Sequence, residues 1–105
     1  MLYLVICEVH GTPPPATVES LEAGKTTLEM IRNWQEQGIV HGAGVFSGRM
    51  GMAFVIDAAS NAELHALVAS LPTFTHAEWQ VIPMLGIDED LVMTEAALAR
   101  YREAR

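Results

Sequence analysis

Leu2 to Val9 is an apolar run interrupted only by Glu8. A run that short and that apolar reads as a strand buried on both faces or nearly so. Thr12-Pro13-Pro14-Pro15 follows it. This is a stiff loop that cannot continue a sheet, because proline has no N–H to give to a ladder. The chain must therefore cover this strand with what comes after.

What comes after alternates between the two periods. A helix is expected from about Thr17 to Gln37, with Leu21, Leu28, Ile31 and Trp34 as its apolar stripe and Gly38 as its stop. Gly24 inside it marks close packing or a weak point. Ile39 to Ser47 reads as a glycine-rich second strand and Met50 to Asp57 as a third, with Ser47-Gly48-Arg49 as the hairpin turn between them. Ser60 is an N-cap, and Glu63 three residues on completes a capping box. Leu64, Leu67, Val68 and Leu71 mark one helical face, and Pro72 ends that helix. Ala77 to Met84 is the fourth strand. The order βαββαβ is the ferredoxin-like arrangement, an α+β fold with an antiparallel sheet. Residues 1–86 make that domain. Residues 87–105 form an extra C-terminal helical extension, with acids first and arginines last to complement the helix dipole.

Composition narrows the classes of function. At 105 residues the chain is one domain by length, half of it apolar and so able to build a core, yet small enough that oligomerisation is a usual remedy. The net charge of -7 with only six basic residues argues against nucleic acid, which requires clustered Lys and Arg. A single cysteine, Cys7, allows no internal disulfide and fits a reducing cytoplasm. The apolar start meets Glu8 and lacks a basic segment, so no signal peptide is expected. No apolar run approaches the roughly 20 residues that span a bilayer.

Alternation assigns the strand faces. The polar residues Glu8, His10, Glu78 and Gln80 point to the side turned away from the helices, and small Gly51 and Ala53 then fit beneath the helices. On this assignment the open face carries Leu4, Ile6, Met50, Met52, Phe54, Ile56 and Ile82. That is too much apolar surface to leave in water, and two such sheets stacked face to face would bury it.

Ser60-Asn61-Ala62-Glu63-Leu64-His65, followed by Leu71-Pro72-Thr73-Phe74, together with the opening Met1-Leu2-Tyr3 and the strand-helix-strand order, resembles the muconolactone isomerase family. The resemblance runs over residues 1–86 without gaps. It implies a cofactor-free isomerase of the dimeric α/β barrel type, a homodimer or higher homo-oligomer with a small-molecule ligand. The chain departs from the family in three places, one of them His76, which follows Phe74-Thr75 where the family tends to carry a proline and an aromatic residue. Gly38-Ile39-Val40-His41-Gly42-Ala43-Gly44 lacks most of the family's basic character, and the Glu-Lys pattern of the first helix is replaced by Lys25-Thr26-Thr27-Leu28-Glu29. Lys25 and Glu29 have the spacing of a surface pair.

Glu8 is the first candidate for chemistry, because a carboxylate on an apolar strand face suits acid–base work. The plainer reading pairs it with Arg49 or a histidine. His41 is the second catalytic candidate, placed after the helix-ending glycine and near a barrel mouth. Substrate-binding candidates are Arg49, able to hold an oxygen or a carboxylate, His10 near a strand end, His76 after Phe74-Thr75, where it either lines the entrance or caps a loop, and Met52, Phe54 and Gln80 on the open face. Each histidine has the plainer reading of a solvated residue, as does Arg49 in its hairpin. No metal site is expected, since the four histidines are scattered without His-x-x-x-His spacing. Nothing singles out His65 or His76 as a haem ligand, and no cofactor is expected. Two classes of function fit: a cofactor-free isomerase, or related lyase or cyclase, moving a proton on a small hydrophobic lactone or carbonyl compound, and a non-catalytic ligand-binding or assembly protein of the same fold.

Overall fold

The computed structural model describes residues 1–12 and 14–104. Pro13, in the expected loop, and Arg105, at the end of the expected terminal helix, lie outside the described residues. The elements run β1 (Leu2–Glu8), α1 (Val18–Glu36), β2 (Val40–Val45), β3 (Gly51–Asp57), α2 (Asn61–Ala69), a single 3-10 turn (Phe74–His76), β4 (Glu78–Met84) and α3 (Ile87–Glu103). The strands form one sheet in the order β2-β3-β1-β4, with every pairing antiparallel. This is the expected βαββαβ α+β fold, with β1 in the centre.

Local chemistry sets the helix ends. Thr17 caps α1 by accepting the Ser20 N–H, while the Ser20 hydroxyl oxygen accepts the Thr17 N–H in return. At the other end the Gly38 N–H donates to the Gln35 carbonyl and the Ile39 N–H to the Trp34 carbonyl. That is a Schellman ending, and Gly38 supplies its left-handed residue at φ 81°. Ser60 accepts the Glu63 N–H at the start of α2, but the Glu63 carboxylate reaches the Ala59 N–H at 2.9 Å, one residue earlier than a capping box requires.

One face of β1 is fully buried and the other only half-buried, so the strand is not enclosed on both sides. Tyr3, Val5 and Cys7 lie beneath the helices. The assignment of β3 is the reverse of that expected. Tyr3 pairs with Ile56, Val5 with Phe54 and Cys7 with Met52, so these three β3 residues share the helix side, and Phe54 and Ile56 are core residues. Gly51, Ala53 and Val55 face the open side with Leu4, Ile6 and Glu8. The helices need bulk to pack against, and the large side chains provide it. The exposed Met50 precedes β3 as part of the hairpin.

The stripe of α1 also differs. Thr27, Ile31 and Trp34 are buried, whereas Leu21 and Leu28 are exposed. Ile31 and Trp34 hold their expected places while Thr27 takes that of Leu28, and the Thr27 hydroxyl bonds the Thr73 hydroxyl at 3.0 Å, tying α1 to the segment after α2. Gly24 is not a close-packing site, since an added Cβ there would meet open space.

The open face is arranged in rows across the sheet. Val55, Leu4 and Ile82 form one row, Ala53, Ile6 and Gln80 the next, and Gly51, Glu8 and Glu78 the last. Beyond the sheet, α3 projects outward. None of its described residues is buried. The radius of gyration is 17.9 Å, against about 13 Å for a compact chain of this length.

Cys7 lies at 7% exposure in the core. Burial pushes its thiol pKa up, and the neighbouring Glu8 carboxylate adds to the shift. The folded state therefore favours the neutral thiol. That contribution is complete below the ordinary thiol value of about 8.5 and fades as pH rises above it. Native Cys7 should react with a disulfide reagent at mildly alkaline pH on the order of 10²-fold more slowly than the chain unfolded in guanidinium. Equal rates would show that Cys7 is not enclosed.

Candidate functional site

The last row of the open face concentrates the charge of the sheet. Glu8 and Glu78 stand opposite each other on β1 and β4. Like charges directly across a strand pair repel. Here each carboxylate has its own basic side chain beside it. Arg49 Nη2 lies 3.0 Å from Glu8 Oε1, and His10 Nε2 lies 3.2 Å from Glu78 Oε2. The Glu8 side chain is only 17% exposed, while that of Glu78 is 74% exposed. Arg49 also stacks over the Phe46 ring at 4.9 Å, which fixes the guanidinium from its other side.

Gly51 makes this arrangement possible. It pairs with Glu8 in the sheet. A Cβ there would lie 2.6 Å from the Cys7 carbonyl oxygen, 2.8 Å from the Phe46 ring and 3.0 Å from Glu8 Cγ. The missing side chain leaves room for Phe46 and the Glu8 stem to meet over the β3 backbone. Beside them a shallow depression of about 100 Å³ is lined by Ile6, Glu8, His10, Glu78, Trp79 and Gln80. Trp79 is fixed by its indole N–H, which donates to the Phe74 carbonyl at 2.8 Å.

The sequence candidates divide between this site and the rest of the molecule. Glu8, Arg49, His10 and Gln80 come together at one end of the open face. His41 sits at the bulge where β2 pairing shifts between Val40 and Gly42, at the opposite end of β3. Glu8 lies six residue steps along β1 from Leu2, a span of about 20 Å. Within one copy, Glu8 and His41 therefore cannot reach the same atom. At that far end the Asp57 carboxyl is held below the usual carboxylate range by its hydrogen bond and charge interaction with the terminal amine, with a lesser pull from His41. His76 is exposed in the 3-10 turn. His65 packs edge-on against Phe74, with ring centroids 6.0 Å apart. Met52 and Phe54 turn to the helix side and do not line the depression. Phe46, Gly51 and Glu78 are the residues that sequence reasoning left out. The strand register carries the signal for two of them, since Gly51 and Glu78 are the partners of Glu8.

Among the described residues no group of three or more His, Cys, Asp or Glu side chains could hold a metal ion, and no helix is long and apolar enough to cross a membrane. The site offers two carboxylates, a guanidinium, an imidazole and a partly apolar floor. Those groups can take up a proton and stabilise a developing oxyanion.

An antiparallel four-stranded sheet with helices on one face and acid–base groups at the end of the other defines a small ferredoxin-like α+β domain. The chain belongs to the muconolactone delta-isomerase family, whose sequence profile matches residues 1–87. A solved muconolactone isomerase shares the fold with a TM-score of 0.71 at 20% identity, over 82% of this chain and 90% of that one. A 5-chloro-2-hydroxyhydroquinone dehydrochlorinase from Burkholderia phenoliruptrix AC1100, solved with 2,5-dihydroxybenzoquinone, has a TM-score of 0.62 at 16% identity, over 85% of this chain and 98% of that one. No curated protein matches the sequence.

Gly51→Ala should lower stability by about 1–3 kcal/mol, because the Cys7 carbonyl and the Phe46 ring must both move. Urea denaturation measures it. A variant as stable as the parent would show that β3 does not pass this close beneath Phe46.

Proposed function

We propose that the chain is a cofactor-free isomerase or lyase that moves a proton on a small lactone or carbonyl compound, with Glu8 as the base. The observation that carries this reading is Glu8 itself: a largely buried carboxylate on the open face, held by Arg49 and bordered by a small depression. Membership of an isomerase family supports the reaction class. The fold shared with a dehydrochlorinase keeps a lyase in view.

The chemistry needs only groups at this end of the sheet. Glu8 takes a proton from the carbon beside a carbonyl. The electron pair of that C–H bond moves onto the oxygen, and Arg49 or His10 stabilises the enolate. For an isomerisation the proton returns to a different carbon of the conjugated system, so nothing is consumed. For a lyase the electrons of the enolate expel a leaving group instead. Arg49 lies 3.0 Å from Glu8, so an oxygen held by Arg49 keeps the acidic carbon near the base, as proton transfer requires. A second reading, a non-catalytic binding or assembly protein, is favoured by the loss of basic residues over Gly38–Gly44.

The same reading includes a dimer in which two open faces stack into a barrel. The apolar row of Val55, Leu4 and Ile82 supports it, with Ile82 38% exposed in the single chain. A charge buried in such a seam without a partner is strongly unfavourable.

Solvent deuterium incorporation into a panel of lactones and enones tests the chemistry. Glu8→Gln should cut the exchange on the order of 10²-fold or more. Equal exchange by both proteins excludes Glu8 as the base, and no exchange by the parent across the panel favours the binding protein. Leu4→Asp should lower the mass found by sedimentation equilibrium. An unchanged mass would exclude the face-to-face barrel.

A further inference from the structure

The segment that the isomerase fold leaves unexplained is α3. The family profile ends at residue 87, its first residue. Its large apolar side chains stand in water: Ile87 is 78% exposed, Leu91 50%, Leu98 46% and Tyr101 74%. Helices in proteins draw most of their stability from packing an apolar face, and the 17 residues of α3 are no exception. Within its own chain α3 has no such packing, so its partner lies in another molecule.

Two features of α3 identify that partner. Ile87, Leu91, Thr94, Leu98 and Tyr101 follow one another at spacings of four, three, four and three. Spacings of that kind make a seam along which a second helix can pack, and the exposed Val92 and Met93 widen the apolar surface beside it. The charges are also polarised along the helix, with Asp88, Glu89 and Asp90 in the first turn and Arg100 and Arg102 in the last. A helix with acid at one end and base at the other, and an apolar seam between, is complementary to itself when reversed. Parallel pairing would set the three acids of one helix against the three of the other.

We propose that α3 pairs antiparallel with α3 of a second copy of this chain, about a two-fold axis near Thr94. The acidic turn of each helix then faces the basic turn of its mate, and Ile87 lies at the Leu98–Tyr101 end of the partner helix. A two-fold contact of this kind is isologous and closed. It lies away from the open face of the sheet, so it adds to a barrel dimer instead of competing with it, and it holds whether or not Glu8 is catalytic.

Two measurements on the full chain test the pairing. Leu91→Asp combined with Leu98→Asp should lower the mass in sedimentation equilibrium by half, while the sheet-face variant Leu4→Asp leaves the α3 contact in place. An unchanged mass in the α3 variant overturns the proposal. Orientation is read with single cysteines and a short bis-maleimide, Cys7 being buried. Thr94→Cys should cross-link to itself, and Ile87→Cys should cross-link to Tyr101→Cys in a mixture but not to itself. Self-cross-linking of both end variants would establish a parallel pair and overturn the antiparallel one. No cross-link at any of the three positions would mean that α3 covers a different surface, such as the sheet of a neighbour, and would overturn the proposal too.

Discussion

The central position of β1 decides where everything else goes. It is hydrogen-bonded on both edges, to β3 and to β4, over the same seven residues. Tyr3, Val5 and Cys7 point down between the helices because their side chains alternate with Leu4, Ile6 and Glu8. Each partner strand must then place its bulk in step with that alternation. Phe54 and Ile56 do so from β3, and Trp79 from β4. The same register fixes the opposite face. It sets Glu8 between Gly51 and Glu78, and so creates the charged row at the end of the sheet. Core and site are two consequences of one pairing.

Most of the architecture was legible in the residues. The helix-ending Gly38, the Ser60 cap and the proline after α2 mark their boundaries by backbone chemistry that leaves few alternatives. The face of β3 was not legible, and the reason is physical. Both of its sides are apolar, with Met, Phe and Ile on one and Gly, Ala and Val on the other. Alternation then carries no sign, and a wrong choice sends every side chain to the wrong face. Polar residues gave the sign for β1 and β4, which have them. For β3 only side-chain volume was available, and the helices take the larger set.

The site was half legible for the same reason. Glu8 is conspicuous as the one charge in an apolar run, and its pairing with Arg49 follows from a hairpin that ends beside it. The His10–Glu78 pair depends on the register between β1 and β4, which are far apart in sequence. His41 drew attention by its position after Gly38. The antiparallel return of β3 carries it to the far end of the sheet. Sequence proximity to a strand end says nothing about which end of the sheet that strand end occupies.

The depression beside Glu8 limits what a single chain can do. Its volume of about 100 Å³ is well below the roughly 300–1,000 Å³ of pockets that enclose a small molecule. Glu78 and His10 on its rim are largely exposed. In such a setting water competes for Glu8 and screens Arg49, and both effects weaken proton transfer to carbon. Closing the open face would remove that water and place an apolar wall over Ile6, leaving Glu8 and Arg49 in a medium where their charges act strongly. The proton transfer proposed for Glu8 would therefore depend on assembly, since one chain brings the candidate groups together but does not enclose them.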